Sequence, residues 1–382
     1  MMNKLIAFGV GCFHFGLKKI NLPSMSGQDY VRELILAIES IPNVKKVDVI
    51  APDEFKEETI EALESLTSLK EGNNFFPYPS CSLDIDFEIY IPTRLQNELS
   101  TDLYISSLPT ERFIVHIRDS YHFPVTFIEL VNANKDCDPS GSIVIVREFL
   151  EKHFTEAKSD YIRFDFLGPS PFYANFFLYG ENIERVEEDF DSDGFSVEQI
   201  PQKGYDTFDI HFDKSLYTNL NEAKEAIFYE LSDEIGLFYK LEHHNLLQMR
   251  QWENLQELVS SLIGTTKGKG LKAFFSRLLH SNTQIRDAII MLSEFESNHI
   301  WTTFILKSDY QDLFNSGKEP YTNSYITKII QNFPTYPTNQ VRDVISLLEN
   351  RRSKTVDNLV IILAAILGGI VGAIFTLLII SR

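Results

Sequence analysis

The chain has 382 residues, of which 44% are hydrophobic, and this favours a folded protein of two domains over a disordered one. Its net charge of −19 disfavours a nucleic-acid partner, because the average field of the protein repels phosphates. The three cysteines, Cys12, Cys81 and Cys137, have no paired spacing. That argues against a disulfide framework, a zinc cluster and a redox pair.

The first part of the chain alternates between strand and helix patterns. Residues 3–10 predict a strand, and Ser26 and Asp29 have capping-box spacing at the start of a helix. Residues 43–52 predict a second strand, and residues 52–72 predict a second helix with acidic residues in its first turn. This β-α-β-α order predicts neighbouring parallel strands joined by helical crossovers.

Residues 83–91, with the sequence LDIDFEIYI, change the pattern, because apolar and polar side chains alternate strictly. Such alternation is typical of a half-exposed strand in an antiparallel or edge position. More segments of regular structure follow, namely strands at RFIVHIRDS, PVTFIELVNA, DYIRFDFLG, FYANFFLYG and DTFDIHFD and a helix at SIVIVREFLEKHFTEA. We therefore predict a mixed sheet that ends near Asp213.

From about Asn219 the hydrophobic period becomes helical, and Asn219 and Glu222 have capping-box spacing. A continuous helix would be about 60 Å long at about 1.5 Å per residue. Gly236 and the polar segment EHHN make two helices the alternative. Shorter helices are predicted over residues 271–280, 283–297, 300–315 and 322–332, and residues 339–352 lead from them towards the last segment.

Residues 359–380 contain no charged side chain. As a helix they would extend roughly 33 Å, against a hydrocarbon core of roughly 30 Å, so they predict one membrane span. Arg351, Arg352 and Lys354 precede this segment and only Arg382 follows it, which predicts that residues 1–357 face the cytoplasm. We expect a tail-anchored protein of the cell membrane, in the inner membrane if the source is bacterial.

Small residues recur every four positions within the predicted span. Close packing of helices in lipid requires such residues, because they let the backbones approach. They form two adjacent ridges, one of Ala364, Gly368 and Gly372 and the other of Ala365, Gly369 and Ala373. The spacing favours self-association of the helix over simple anchoring.

These patterns together predict the architecture. The fold class is an α/β or α+β mixed-sheet domain over residues 1–213, followed by an all-α module over 214–354. Residues 355–382 form the third part, a C-terminal transmembrane helix. Whether residues 1–213 form one domain or two is left open by the sequence.

The segment DFDSDG partly matches a calcium-binding loop, with Asp189, Asp191, Asp193 and Gly194 at the first, third, fifth and sixth positions. The twelfth position, which requires a bidentate Glu, is Ile200, and no helix is expected on either side. An acidic β-turn between strands is therefore favoured over a weak cation site.

The segment GTTKGKG, residues 264–270, resembles a phosphate-binding loop only in composition. It has three residues instead of four before its Gly-Lys pair, and Gly270 stands where Ser or Thr is required. We interpret it as a flexible basic linker between two helices.

The segment GVGCFHFG follows the first predicted strand, where nucleotide-binding α/β domains hold their ligands. Gly9 and Gly11 fit a glycine-rich turn, but His14 replaces the third glycine of a dinucleotide fingerprint, and Lys18 and Lys19 come too late to belong to it. The position favours a small anionic ligand, and the alternative is a tight turn with a partly buried histidine. No cofactor is predicted.

Three functions remain open, and the sequence favours a non-enzymatic one. The first is a sensor that binds a cytosolic protein or a small molecule and acts through clustered membrane helices. This layout resembles that of tail-anchored membrane effectors in prokaryotic defence systems, which implies a role in antiviral defence, although no motif is shared. The alternatives are a membrane-tethered enzyme with its site near Gly11 and His14, and a membrane scaffold that recruits a partner.

Overall fold

In the computed structural model, the residues described are 5–18, 24–61, 83–100, 108–119, 123–156, 160–167, 174–180, 191, 193–267, 271–314 and 320–380. Within these ranges no side chain is described at 61, 100, 156, 265–267, 271–282, 314, 323, 355 and 370–380. The chain divides into two compact units, one of residues 1–243 and 309–331 and the other of 244–308 and 332–382. These units do not coincide with the predicted domains, the first of which ends at residue 213. The predicted domain boundaries stay predictions.

The strands are β1 (Leu5–Gly11), β2 (Phe13–Leu17), β3 (Ser24–Ser26), β4 (Val44–Ile50), β5 (Thr59–Glu61), β6 (Leu83–Tyr90), β7 (Arg112–Asp119), β8 (Pro124–Leu130), β9 (Ile162–Phe166), β10 (Ala174–Tyr179), β11 (Phe195–Ile200) and β12 (Asp206–Phe212). The helices are α1 (Gly27–Glu39), α2 (Asp53–Glu57), α3 (Thr93–Ser100), α4 (Ser140–Glu156), α5 (Leu220–Lys267), α6 (Leu271–Phe314), α7 (Asn323–Gln331) and α8 (Thr338–Ile380).

The first unit contains an eight-stranded sheet in the order β11-β12-β10-β1-β8-β7-β6-β4. Its strands are antiparallel to their neighbours except at the β10–β12 pair, which is parallel. The predicted mixed sheet with helices after it is thus confirmed.

The predicted parallel pairing at the start of the sheet is wrong. β1 lies between β10 and β8 and is antiparallel to both, while the next predicted strand, β4, lies at the far edge against β6. The reason is that the chain leaves β1 directly into β2, which pairs with β9 in a separate small sheet. Helix α1 therefore does not cross over between neighbouring strands.

The predicted helix over residues 52–72 is confirmed over residues 53–57 and wrong over residues 58–61. Helix α2 ends at Glu57, and residues 59–61 form β5 against β3. The Gly27 N–H donates to the Glu58 carbonyl oxygen at 2.8 Å, which holds this segment against the start of α1. Backbone pairing has replaced the helical hydrogen bonds, and residues 62–72 lie outside the described residues.

Both faces of the sheet are covered within the first unit. On one face, alternate residues of β6, β7 and β8 form a core with α1 and α4, as the burial of Phe87, Val115 and Ile128 shows. On the other face, Phe127 and Phe8 contact Phe228 of α5. The alternation seen in LDIDFEIYI therefore separates two packed layers, with its polar side half-buried.

The helical part of the chain is more continuous than predicted. Helix α5 is one helix of 48 residues, which confirms the predicted continuous helix over the alternative of two helices. At its start, the Asn219 side chain accepts the Glu222 N–H at 3.0 Å. The three helices predicted between 271 and 315 form the single helix α6. Gly236 lies inside α5 without interrupting it. Ile235 and Leu237 beside it are buried, and this packing offsets the low helix propensity of glycine.

The second unit has a core of three helices, in which α5 contributes Trp252, Leu255, Val259 and Leu262, α6 contributes Ile285, Ala288, Leu292 and Phe295, and α8 contributes Ile345 and Leu348. Across the described residues, no helix is both long enough and apolar enough to cross a membrane. The membrane span over residues 359–380 stays a prediction from the sequence.

Candidate functional site

The polar face of the sheet carries charged residues that the strand register brings together. In the β6–β7 ladder, Asp84 is paired with Arg118 and Asp86 with His116. Glu129 of β8 lies on the same face, opposite Ile114 of β7. Because side chains alternate across a strand, these residues all point towards α5.

Helix α5 adds two charged residues to this face. Lys224 and Glu225 lie in its second turn, and Phe228 follows one turn later on the same side of the helix. We call the resulting set the charge cluster, and its members are Asp84, Asp86, His116, Arg118, Glu129, Lys224 and Glu225.

The centre of the charge cluster is His116, whose ring lies between two carboxylates. Its Nδ1 is 2.7 Å from Oδ1 of Asp86, and its Nε2 is 3.6 Å from Oε2 of Glu129. The histidine is 4% exposed, so both ring nitrogens face protein groups and not solvent. The geometry fixes the ring in place and presents neither nitrogen to a substrate.

Two cations connect the sheet carboxylates to α5. Arg118 donates to Asp86 at 2.7 Å and to Glu225 at 3.1 Å. The ammonium of Lys224 lies 3.4 Å from Glu129, so each cation joins a different strand to the helix. Removal of one acidic partner of a buried cation lowers the stability of the fold strongly, because part of the buried positive charge is then left without compensation.

Aromatic rings pack beside these ion pairs. The ring of Phe228 stacks on Phe127 with centroids 4.3 Å apart and meets Phe8 edge-on at 4.9 Å. His116 also contacts Phe228, at 5.3 Å between centroids. The contacts of Glu129 with His116 and Lys224, which are the most buried, therefore lie in a lower local dielectric than the pair of Arg118 with Glu225, whose carboxylate is 54% exposed.

The pKa values follow this geometry. Burial alone would raise the pKa of Asp86, but the hydrogen bonds and charges of His116 and Arg118 outweigh it and lower that pKa to about 2. Burial likewise opposes ionisation of Glu129, and His116 and Lys224 lower its pKa on balance. Asp84 behaves in the opposite way, since burial raises its pKa more than Arg118 lowers it.

A second polar contact attaches α7 within the same unit. The buried carboxylate of Glu234 accepts hydrogen bonds from the N–H groups of Tyr321 and Thr322 at 3.0 and 2.9 Å and from the Thr322 hydroxyl at 2.9 Å. These donors lie just before α7, so the carboxylate caps that helix from outside. The Tyr321 hydroxyl donates to Asp191, and burial with this bond raises the pKa of Tyr321.

The residues predicted to bind a small anion are placed differently from a phosphate-binding turn. Gly9 and Gly11 lie inside β1, where a Cβ atom on Gly9 would be 2.4 Å from the Pro139 carbonyl oxygen and one on Gly11 would be 2.7 Å from the Ile143 side chain. Both glycines thus allow α4 to pack closely on β1. No helix follows β1 directly, so the strand–turn–helix geometry behind the prediction is not what the described residues show.

The other residues of that prediction lie on or after β2. His14 has its Nδ1 3.9 Å from the Asp165 carboxylate, which also accepts a hydrogen bond from Arg163 at 2.6 Å. Lys18 donates its backbone N–H to the Tyr161 carbonyl oxygen at 2.7 Å. Lys19 lies outside the described residues, and the ligand-binding role of the set stays a prediction.

The calcium-like segment is described only in part, since Asp189 lies outside the described residues. Asp191 accepts hydrogen bonds from the N–H groups of Asp193 and Phe195 at 3.0 and 2.9 Å, and its second oxygen accepts from Tyr321. These contacts form a turn before β11, with Gly194 at a φ of 76°. Among the described residues, no group of three or more metal-ligating side chains is placed to hold an ion.

The small residues of the predicted span lie in α8. Ala364, Ala365, Gly368 and Gly369 are exposed, and a Cβ atom on either glycine would meet nothing within 4 Å. The remaining two, Gly372 and Ala373, lie in the part of α8 whose side chains are not described.

The charge cluster was not predicted from the sequence, because its members come from four distant segments. The alternation in LDIDFEIY and RFIVHIRD shows which residues share a face, but the strand pairing that opposes Asp86 to His116 is not encoded locally. Comparison with family models, curated proteins and solved structures finds no match to this chain.

Proposed function

We propose that this chain is a single-pass membrane protein in which residues 359–380 anchor the chain in the bilayer and associate with their counterparts in other copies. The N-terminal α/β domain senses a ligand or a protein partner on the cytoplasmic side. Its output is the association state of the anchor helices.

The observation that carries this proposal is the apolar surface of α8. The six large aliphatic side chains between residues 360 and 367 are between 50% and 65% exposed, namely Val360, Ile361, Ile362, Leu363, Ile366 and Leu367. They surround the helix on all sides, so no polar face remains to contact water. Residues 370–380 continue this apolar sequence without a charge.

Self-association is supported by the glycines of the same helix. Gly in a helix interior costs about 0.5–1 kcal/mol relative to Ala. Nothing within 4 Å of Gly368 or Gly369 requires the missing side chain, so packing inside one chain does not explain them. A second helix that approaches closely at these positions would explain both.

The charge cluster supports the sensing part of the proposal. It holds the second turn of α5 to the sheet, and α5, which has 48 residues in all, continues without a break into the helical unit. A ligand that displaced one cluster partner would leave a buried charge uncompensated and would loosen this end of the helix. We propose α5 as the element that carries the sensed state.

Anchoring is tested by alkaline extraction of membranes from cells that express the full chain. We expect the protein in the pellet, and we expect Leu363→Arg with Leu367→Arg to release it, because each charge in the bilayer costs about 2.5–3.5 kcal/mol. The matched control is Leu347→Arg, at an exposed position of α8 before the uncharged segment. Release of the unchanged protein by alkali would refute the proposal.

Association is tested by chemical crosslinking in the membrane. Gly368→Leu with Gly372→Leu should abolish crosslinked species while leaving the protein in the membrane pellet. The control, Ile362→Leu with Ile366→Leu, exchanges large residues at the same spacing and should crosslink normally. If the glycine variant and the control variant crosslink equally, the glycines do not form the contact between helices. Membrane potential, measured during expression, shows whether any remaining assembly acts on the bilayer.

A further inference from the structure

Helix α6 has an exposed apolar face on the side opposite its core. The core side is buried against the other two helices of the second unit, through Ile285, Ala288, Leu292 and Phe295. On the opposite side Trp301 and Phe304 are 60% and 65% exposed, and their rings stack with centroids 6.2 Å apart. We call this side the outer face of α6, and its members, all exposed, are Ile290, Ser293, Ser297, Ile300, Trp301 and Phe304.

The outer face contains no charged residue, although the chain has 54 acidic residues. The exposed face of a surface helix is normally charged or polar. No Asp, Glu, Lys or Arg lies between Glu296 and Lys307, and Glu296 forms an ion pair with Arg342 of α8. Glu294 borders the face and is exposed. Two copies of a chain with a net charge of −19 repel each other least where their surfaces are uncharged, so this face favours a second copy over a charged partner.

The spacing of the outer face matches the contact line between two paired helices. Five of its members follow one another in alternating steps of three and four residues, namely Ile290, Ser293, Ser297, Ile300 and Phe304. This is the spacing of a coiled-coil seam. The two serines in its middle let the backbones come close, and the larger side chains at both ends supply the apolar area.

The exposed area is large for a surface patch but small for a complete interface. An aromatic side chain has about 150–250 Å², so Trp301 and Phe304 together expose roughly 200–300 Å². With its two isoleucines, the face reaches the range of about 300–600 Å² in which exposed patches are often functional. A standard interface buries about 800 Å² per partner. The face therefore fits a contact between copies that are also held together elsewhere.

We infer that the outer face of α6 packs against the same face of a second copy, with the two α6 helices parallel. The inference rests on the proposed function, because anchoring in one membrane raises the effective concentration of the copies and gives all of them the same direction. Helix α6 shares a core with α8, so α6 helices that meet follow this common direction. Each residue of the seam then lies opposite its counterpart.

Cysteines placed in the seam test this arrangement in membranes of cells that express the full chain. A disulfide requires Cα atoms within about 7 Å, which parallel helices provide at every seam position. Oxidation should therefore join two copies of Ser293→Cys, Ser297→Cys or Ile300→Cys about tenfold more efficiently than two copies of the control, Ser260→Cys at an exposed serine of α5. The unchanged protein gives the background from its own three cysteines.

A second set of variants tests the apolar contact itself. Ile300→Glu with Phe304→Glu, added to Ser297→Cys, should lower the disulfide yield about tenfold, because like charges would meet in the seam. The matched control is Leu246→Glu with Met249→Glu, which changes exposed apolar residues of α5 and should leave the yield unchanged. Circular dichroism of both variants verifies that the helices are intact.

The outcomes separate this inference from the proposed anchoring. Equal yields at Ser297 and Ser260, in protein that stays in the membrane pellet after alkaline extraction, refute the contact while anchoring stands. A disulfide at Ser297 without one at Ser293 or Ile300 indicates antiparallel helices and refutes the parallel pair. If alkali releases the unchanged protein, anchoring is refuted, and strong disulfides at all three seam positions would still support the contact.

Discussion

Replacement of Asp86 by Asn tests whether the charge cluster stabilises the fold electrostatically. The native pKa of Asp86 is about 2, against an ordinary value of 3.8. A shift of that size corresponds to about 2 kcal/mol of folding free energy at neutral pH, and solvent screening of a carboxylate that is 31% exposed reduces it to about 1–2 kcal/mol. We therefore expect Asp86→Asn to lower the free energy of unfolding by this amount at pH 7.

The direction of the pKa shift fixes how the stabilisation by Asp86 changes with pH. The native pKa is depressed, so the stabilisation is complete above pH 4 and disappears as the pH falls through about 2. The difference between the unchanged protein and Asp86→Asn should shrink over this interval. Urea unfolding followed by circular dichroism between pH 7 and pH 2.5 measures it, with Asp136→Asn in an exposed loop as the control. A difference that stays constant with pH would refute the electrostatic explanation.

Three further tests, which use five substitutions, examine the packing and charge assignments. Asp84→Asn should raise the free energy of unfolding slightly at pH 7, because burial raises the pKa of Asp84 and its ionised form destabilises the fold. A lower free energy of unfolding in urea would contradict this. Phe228→Ala should cost about 3–5 kcal/mol in the same assay, whereas Tyr229→Ala, at a neighbouring side chain that is 73% exposed, should change stability by less than about 0.5 kcal/mol. Gly9→Ala should lower the melting temperature, because its Cβ meets a backbone oxygen at 2.4 Å, while Gly264→Ala, with open space in α5, should raise it by stabilising the helix by about 0.5–1 kcal/mol.

Features that depend on a few neighbouring residues were predicted well. Ser26 accepts the Asp29 N–H at 3.1 Å at the start of α1, as the capping-box spacing indicated. Asn219 does the same for α5. The alternation in residues 83–91 correctly predicted an antiparallel strand with one buried face. In each case the local pattern and the final contact involve the same residues.

Features that depend on distant pairing were missed. The helical pattern over 52–72 was overridden at residues 59–61, since pairing with β3 satisfies the same backbone groups. Gly9 and Gly11 were assigned to a ligand turn, although they allow a helix to pack on a strand. A glycine is compatible with both uses, and only the position of α4 decides between them.

The charge cluster is better explained by positioning than by stability. A buried ion pair is often no more stable than apolar residues of the same volume, so its energy alone does not explain it. Its geometry does set the axial position of α5. A shift of the helix by one turn, about 5.4 Å, would separate Lys224 from Glu129 and Phe228 from Phe127. An apolar contact would tolerate such a shift, whereas the charges of the cluster would be left unpaired. The cluster therefore permits one position of α5 on the sheet. Displacement of the helix from that position is then a discrete event.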